Sequence, residues 1–173
     1  MTSVRLLGAL LLLLGTRAVL AEPCKLTIEA TDQMRYSTQQ LTIPSSCSEV
    51  ELTLRHSGKL SAKVMGHNWV LARASDMSAI VNAGLTAGSQ NDFLPHGDAR
   101  IIAATHVVGG GQSSTATFST SALQDGTRYA FFCTSPGHSA IMRGTVQFEY
   151  RKTARSSDST PAAAITATSS LNP

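Results

Sequence analysis

The stretch Phe132-Cys133-Thr134-Ser135-Pro136-Gly137-His138-Ser139-Ala140-Ile141-Met142 puts a thiol, an imidazole and a thioether on one short segment. A second imidazole lies far upstream, in Met65-Gly66-His67-Asn68-Trp69. Soft sulfur suits Cu(I) and imidazole suits both Cu(I) and Cu(II), so two His, one Cys and one Met form a donor set for which copper is the natural ion. The thioether is placed to be the long, weak axial donor. Four protein ligands leave no position open for a substrate. The chemistry implied is one-electron cycling, not catalysis.

Each of these residues alone has a commoner explanation. A single Cys in a β-rich chain is usually an inert buried residue, and a Met at the start of a strand is usually core packing. The combination, at this spacing and with His67 in its own context, points to metal. Zinc also takes His and Cys, but a structural zinc site would complete its set with another Cys or His, and the Met142 thioether is a poor substitute. A multicopper oxidase needs a cluster held by many more histidines than the five present. A copper storage or delivery protein is the alternative, and it would expose its soft ligands for exchange. His96 and His106 sit in polar or strand-edge surroundings and read as surface residues.

The elements that must position these donors are mostly strands. Residues 26–30, 50–55 and 145–150 alternate apolar and polar side chains with period two, as half-buried strands do. Further strands are expected over residues 100–108, 114–118 and 128–133, punctuated by Gly109-Gly110-Gly111 and Asp125-Gly126. Residues 76–84 read as a short helix with Asp76 as its N-cap and Gly84 as its stop, within an insertion over residues 76–98 that folds across one side. Trp69, in the apolar run Trp69-Val70-Leu71, is assigned to the core. The fold class expected is all-β, a Greek-key sandwich or barrel with a short helical insertion.

Three organisational segments follow. Residues 1–21 have a cationic start, an apolar run too short to cross a bilayer, and the small-residue exit Val19-Leu20-Ala21, the pattern of a secretory signal peptide. Residues 22–150 form the single domain. Residues 151–173 are dominated by Ser, Thr, Ala and Pro and read as a disordered tail with too little apolar surface to order it. An exported chain with three cysteines leaves one unpaired. Cys24 and Cys47 flank the first strand-like stretch and are paired, a bridge of roughly 3 kcal/mol in the chain-entropy model. That leaves Cys133 as the thiolate.

Charge excludes one class of partner. The whole chain carries +3, but residues 1–21 and 151–173 contribute +2 each, leaving −1 for residues 22–150. The basic balance belongs to the ends, so a nucleic-acid groove is not supported.

With these motifs in hand, the chain resembles the azurins of the cupredoxin family of blue-copper proteins over about residues 22–150. The resemblance rests on Met65-Gly66-His67-Asn68-Trp69-Val70-Leu71, Phe132-Cys133-Thr134, Pro136-Gly137-His138-Ser139-Ala140 and Met142. It implies a cupredoxin domain with one type 1 copper held by His67, Cys133 and His138, with Met142 axial and the Gly66 carbonyl weakly opposite. It implies that Asn68 steadies the ligand loops and that backbone N–H groups near Asn68 and Ser135 point at the sulfur and tune its potential. His56 would be internal, close to the copper site, and not a ligand. Many members carry an aromatic residue where this chain has Ser135. A small polar side chain there is expected to bring water or a hydrogen bond nearer the thiolate and to move the potential.

Electron transfer between redox partners is the function this implies, in a soluble monomer exported to the periplasm. His138 would break the surface within an apolar patch including Met34, Met65, Pro136, Gly137 and Ala140. By family analogy the partner would be a c-type cytochrome, or a periplasmic reductase or peroxidase.

Overall fold

The computed structural model describes residues 22–150. The leader and the tail expected over residues 1–21 and 151–173 lie outside the described residues. Among those described, no helix is long and apolar enough to cross a membrane.

The first sheet grows from two strands whose side chains alternate as the sequence predicts. In β1 (Cys24–Thr31) Ile28 and Ala30 point inward, and in β4 (Glu49–His56) Val50, Leu52, Leu54 and His56 do. The two run parallel, with Cys24 opposite Val50 and Ala30 opposite His56. The two-residue β2 (Arg35–Tyr36) adds at one edge and β7 (Ser113–Ser119) at the other, giving the order β2-β1-β4-β7.

The second sheet has the order β3-β9-β8-β5-β6, from β3 (Gln40–Ile43), β5 (Val70–Arg73), β6 (Ile101–Ala104), β8 (Tyr129–Phe132) and β9 (Arg143–Phe148). Its central strands β5 and β8 are almost wholly apolar and buried on both faces, which removes the alternation that marks an ordinary surface strand. Leu71 and Phe131 face the space between the sheets, where Trp69, Leu52, Leu54 and Phe118 pack. Val70, Ala72, Ala130 and Phe132 face outward and are covered by Ile80 of α2 (Met77–Ala87). The result is a β-sandwich with one helix laid on its outer face, as expected.

The boundaries differ from the sequence reading in instructive ways. The helix does not stop at Gly84; it runs to Ala87 and ends at Gly88, whose φ is +72°. Gly84 lies inside the helix because the chain returns against it: a Cβ there would sit 2.1 Å from the carbonyl oxygen of Phe93. Asp76 occupies the N-cap position, but its side chain makes no capping bond. The strand expected over residues 100–108 is paired only as far as Ala104, and His67 then makes an isolated bridge with Val108. The last strand is shifted to Arg143–Phe148. A single helical turn, α1 (Ala62–Met65), leads into Gly66.

Cys24 and Cys47 form a disulfide, with their Cα atoms 5.7 Å apart, and Cys133 is free. The bridge ties the start of β1 to the segment that enters β4.

Candidate metal centre

Three donors converge at one end of the sandwich. His67 follows α1 and Gly66, whereas Cys133 and His138 sit on the connection between β8 and β9. The ligating atoms of His67, Cys133 and His138 all lie within 4.8 Å of one another. The two Nδ1 atoms are 3.1 Å apart, and Cys133 Sγ is 4.0 Å from His67 Nδ1 and 3.7 Å from His138 Nδ1. Donors at these separations can all reach one ion at the bond lengths of about 2.0–2.3 Å typical of imidazole and thiolate.

The tautomer of His67 is set by its surroundings. Its Nε2–H donates to the carbonyl of Thr31 at 2.9 Å, which leaves the Nδ1 lone pair facing Cys133 and His138. Burial lowers the pKa of His67 to about 4, and burial also lowers that of His138. Both rings are therefore neutral donors near neutral pH. The Cys133 thiol goes the other way. Burial raises its pKa, against the backbone N–H groups of Asn68 and Ser135, which lower it.

The loop carrying Cys133, His138 and Met142 is closed by its own backbone. His138 N–H donates to Ser135 O at 3.0 Å, Met142 N–H to His138 O at 2.8 Å, and Cys133 N–H to Met142 O at 3.0 Å. Met142 is fully buried in the main core, as is Cys133, while His138 is half-buried. The fully buried cysteine sits behind a partly exposed imidazole.

Asn68 joins the two halves of the site. Its Oδ1 accepts from Thr134 N–H at 2.9 Å, and its Nδ2 donates to Thr134 Oγ1 at 2.7 Å and to the Asp92 carbonyl at 2.9 Å. Gly66 is required for close approach, since a Cβ there would lie 2.3 Å from the Ala62 carbonyl oxygen and 2.6 Å from a Val107 methyl. Ser135 is buried and turned inward, where its hydroxyl donates to the Gly66 carbonyl at 2.7 Å. A hydroxyl has one proton, and this short contact claims it; the sulfur is left with backbone N–H groups.

His56 is buried and stacks on His67, ring centroids 4.9 Å apart and planes 11° from parallel. Its Nε2 lies 3.0 Å from Met65 O, and its Nδ1 accepts from Gly58 N–H. His106 is an exposed residue whose Nδ1 lies 2.7 Å from the Asp92 carboxylate.

Sequence reasoning missed several supports. Tyr36 Oη donates to the Asn68 carbonyl at 2.5 Å, and its ring packs edge-on against Phe131. Burial and the nearby Cys133 raise its pKa well above the ordinary phenol value. Asp92 holds Val107 N–H through its carboxylate and Asn68 through its carbonyl, from a left-handed conformation of φ +54°. The Thr31 carbonyl is a backbone group, which no residue type announces. Of the expected patch, Met34 and Met65 are half-buried and Pro136, Gly137 and Ala140 are exposed. The exposed aliphatic side chains at this end, Leu60, Val64 and Ile141, were not anticipated.

The family model described as copper-binding proteins of the plastocyanin/azurin family matches residues 22–149. The chain belongs to that family. It is 42% identical to azurin from Pseudomonas aeruginosa over 142 residues, which cover 82% of this chain and 96% of that one. It is 47% identical to azurin from Pseudomonas fluorescens biotype A over 123 residues, covering 71% and 96%. The solved azurin Az-iso2 of Methylomonas sp. strain J superposes with a TM-score of 0.71 at 40% identity, over 73% of this chain and 98% of that one. The chain is thus a blue-copper electron-transfer protein, and its cofactor is copper.

Proposed function

We propose that His67, Cys133 and His138 would hold the copper of this electron carrier, with the Met142 thioether and the Gly66 carbonyl as weaker donors. The observation that carries this reading is the convergence of two neutral imidazoles and one thiol within a space that a single ion can fill. Bound there, copper supplies a one-electron change between Cu(II) and Cu(I). The protein's part is to hold one geometry through that change. The sandwich fixes His67 through Thr31 and the β8–β9 loop fixes the other ligands through its backbone bonds, so little rearrangement accompanies the transfer.

Electrons enter and leave through His138, the partly exposed ligand, within a surface to which Met34, Met65, Pro136, Gly137 and Ala140 contribute. Redox proteins dock there weakly, as a shuttle that must release its partner requires. A c-type cytochrome or a periplasmic reductase or peroxidase is the proposed partner class. The protein is proposed to act as a monomer in the periplasm, which accords with the leader-like residues 1–21 and with the disulfide. It turns over no substrate of its own. A storage role is disfavoured by the complete burial of Cys133, which hinders ligand exchange.

The test is a Cu(II) titration of the mature chain followed by visible absorption and electron paramagnetic resonance. An intense blue band, bleached reversibly by a reductant, is the expected result. A colourless complex, or preferential retention of zinc, would overturn the ligand assignment.

A further inference from the structure

The two ends of the described residues differ in charge: the disulfide end mixes acids with Lys25, Arg73 and Arg128, whereas the ligand end carries a cluster of cations without carboxylate partners. β1 and β4 run toward the ligand end, and β9 runs away from it. Glu22, Glu49 and Glu149, at their far ends, and Asp125, in the turn before β8, therefore gather around the disulfide. At the ligand end stand Arg35, Lys59, Lys63 and Arg143, all exposed. Among the described residues none of these four has a carboxylate within ion-pairing distance, whereas Lys25 and Arg100 are paired. Two of the acids at this end are held in hydrogen bonds. Asp32 accepts N–H from Lys59 and Leu60, and Asp92 binds Val107 N–H and His106.

These cations flank the ligand loop. A groove of about 920 Å³ runs between β2 and the β8–β9 connection, with Arg35 and Arg143 on its walls and Ala140 and Ile141 beside them. A second concavity brings Lys63 and Val64 together with Pro136 and His138. Exposed aliphatic surface at the centre with unpaired cations at the rim is the layout of a transient protein interface that steers by charge.

We propose that this end is a basic docking ring that selects a redox protein with an acidic face, Arg35 and Arg143 receiving the partner's carboxylates in the groove beside the ligand loop. The inference rests on electron exchange through His138 and adds the sign of the partner's charge. Guanidinium groups suit carboxylates in paired geometry, and long-range attraction raises the encounter rate more than it tightens the final complex. The near-neutral net charge of residues 22–150 matters here: whole-molecule attraction contributes little, so a strong salt dependence would report the local field.

The experiment follows oxidation of the reduced, copper-loaded full chain by hexacyanoferrate(III), an anion, and by tris(phenanthroline)cobalt(III), a cation, each taking one electron. Raising ionic strength from about 10 to about 200 mM should slow the first reaction roughly three- to tenfold and speed the second. Arg35→Gln with Arg143→Gln should flatten both responses, while Arg128→Gln at the opposite end should change neither. Poly-glutamate should inhibit the hexacyanoferrate reaction of the wild type and not of the double variant. Electron self-exchange between two copies should accelerate with salt, because two basic ends repel. Equal salt responses to both reagents, or responses unaltered in the double variant, would overturn the proposal while leaving the electron carrier intact. Self-exchange that salt slows would make a second copy the occupant and overturn it likewise. A reduced protein that neither reagent reoxidises to the blue form would remove the electron-exchange reading, and this proposal with it.

Discussion

The two ends of the sandwich are held together by different means. Around the disulfide the restraint is covalent and local: Cys24 to Cys47, with Thr120 Oγ1 donating to the Cys47 carbonyl at 2.7 Å. At the ligand end it is a mesh of hydrogen bonds between side chains and backbone, from Tyr36, Asn68, Asp92, His67 and Ser135 to segments distant in sequence. A cross-link chiefly limits the unfolded chain, whereas the mesh specifies atom positions in the folded one. Stability and site geometry should therefore be separable by mutation.

The largest effect is expected from Cys133→Ser. A hydroxyl in a fully buried site is a far weaker partner for copper than a thiolate, so the blue band should vanish and copper affinity should fall steeply. Far-ultraviolet circular dichroism should stay unchanged, because the sandwich does not depend on that sulfur. A variant that kept the band would remove Cys133 from the ligand set.

Cutting the other end should produce the mirror result. Cys24→Ser with Cys47→Ser is expected to cost about 2–4 kcal/mol in denaturant unfolding while the absorption and paramagnetic spectra of the copper form stay as they are. A changed spectrum in that variant would show that the two ends are coupled.

A smaller, pH-linked effect sharpens the contrast. Metal ligands must shed their protons, so binding releases whatever protons the free site holds. With His67 lowered to about 4 and His138 also lowered, both rings are already neutral at pH 7, whereas the Cys133 thiol, raised by burial, is still protonated. Copper uptake at pH 7 should release about one proton, measured by pH-stat. In the copper-free protein a folded pKa of about 4 for His67 lies below its ordinary 6.5, so the unfolded chain binds the extra proton first. Stability is then full above about pH 6.5 and is lost as pH falls toward 4. Thermal unfolding of the copper-free form across this range checks the sign. Its slope should survive loss of the disulfide.

How much of this was legible beforehand divides along the same line. The ligand types, the disulfide and the alternating strands β1, β4 and β9 announce themselves, because period-two burial and sulfur chemistry are properties of residue type. Strands β5 and β8 lost their alternation when α2 covered their outer face, so Val70-Leu71 registered only as an apolar run. Gly84 looked like a stop because its neighbour, the Phe93 carbonyl, arrives only in three dimensions. The mesh was the least legible. Tyr36 lies in a two-residue strand without periodicity, and Thr31 contributes a carbonyl that any residue would have supplied.

Ser135 gives the finest test of the comparison, since it alters the ligand end with little stake in the fold. Its hydroxyl withdraws electron density from the Gly66 carbonyl, the group proposed as a weak donor to the metal. Removing the hydroxyl returns that lone pair to the site, and a harder, more electron-rich oxygen favours Cu(II) over Cu(I). Ser135→Ala should therefore lower the reduction potential, by about 40 mV if the full net worth of a hydrogen bond, about 1 kcal/mol, is expressed in one oxidation state. Protein-film voltammetry measures this directly. A potential that rose instead would overturn this account, because loss of a donor to the carbonyl or to the sulfur leaves an electron-richer ligand and lowers the potential in either case. Comparing Ser135→Ala with Ser135→Thr, which keeps the hydroxyl, separates the hydrogen bond from the change in volume: Thr should hold the potential near that of the wild type.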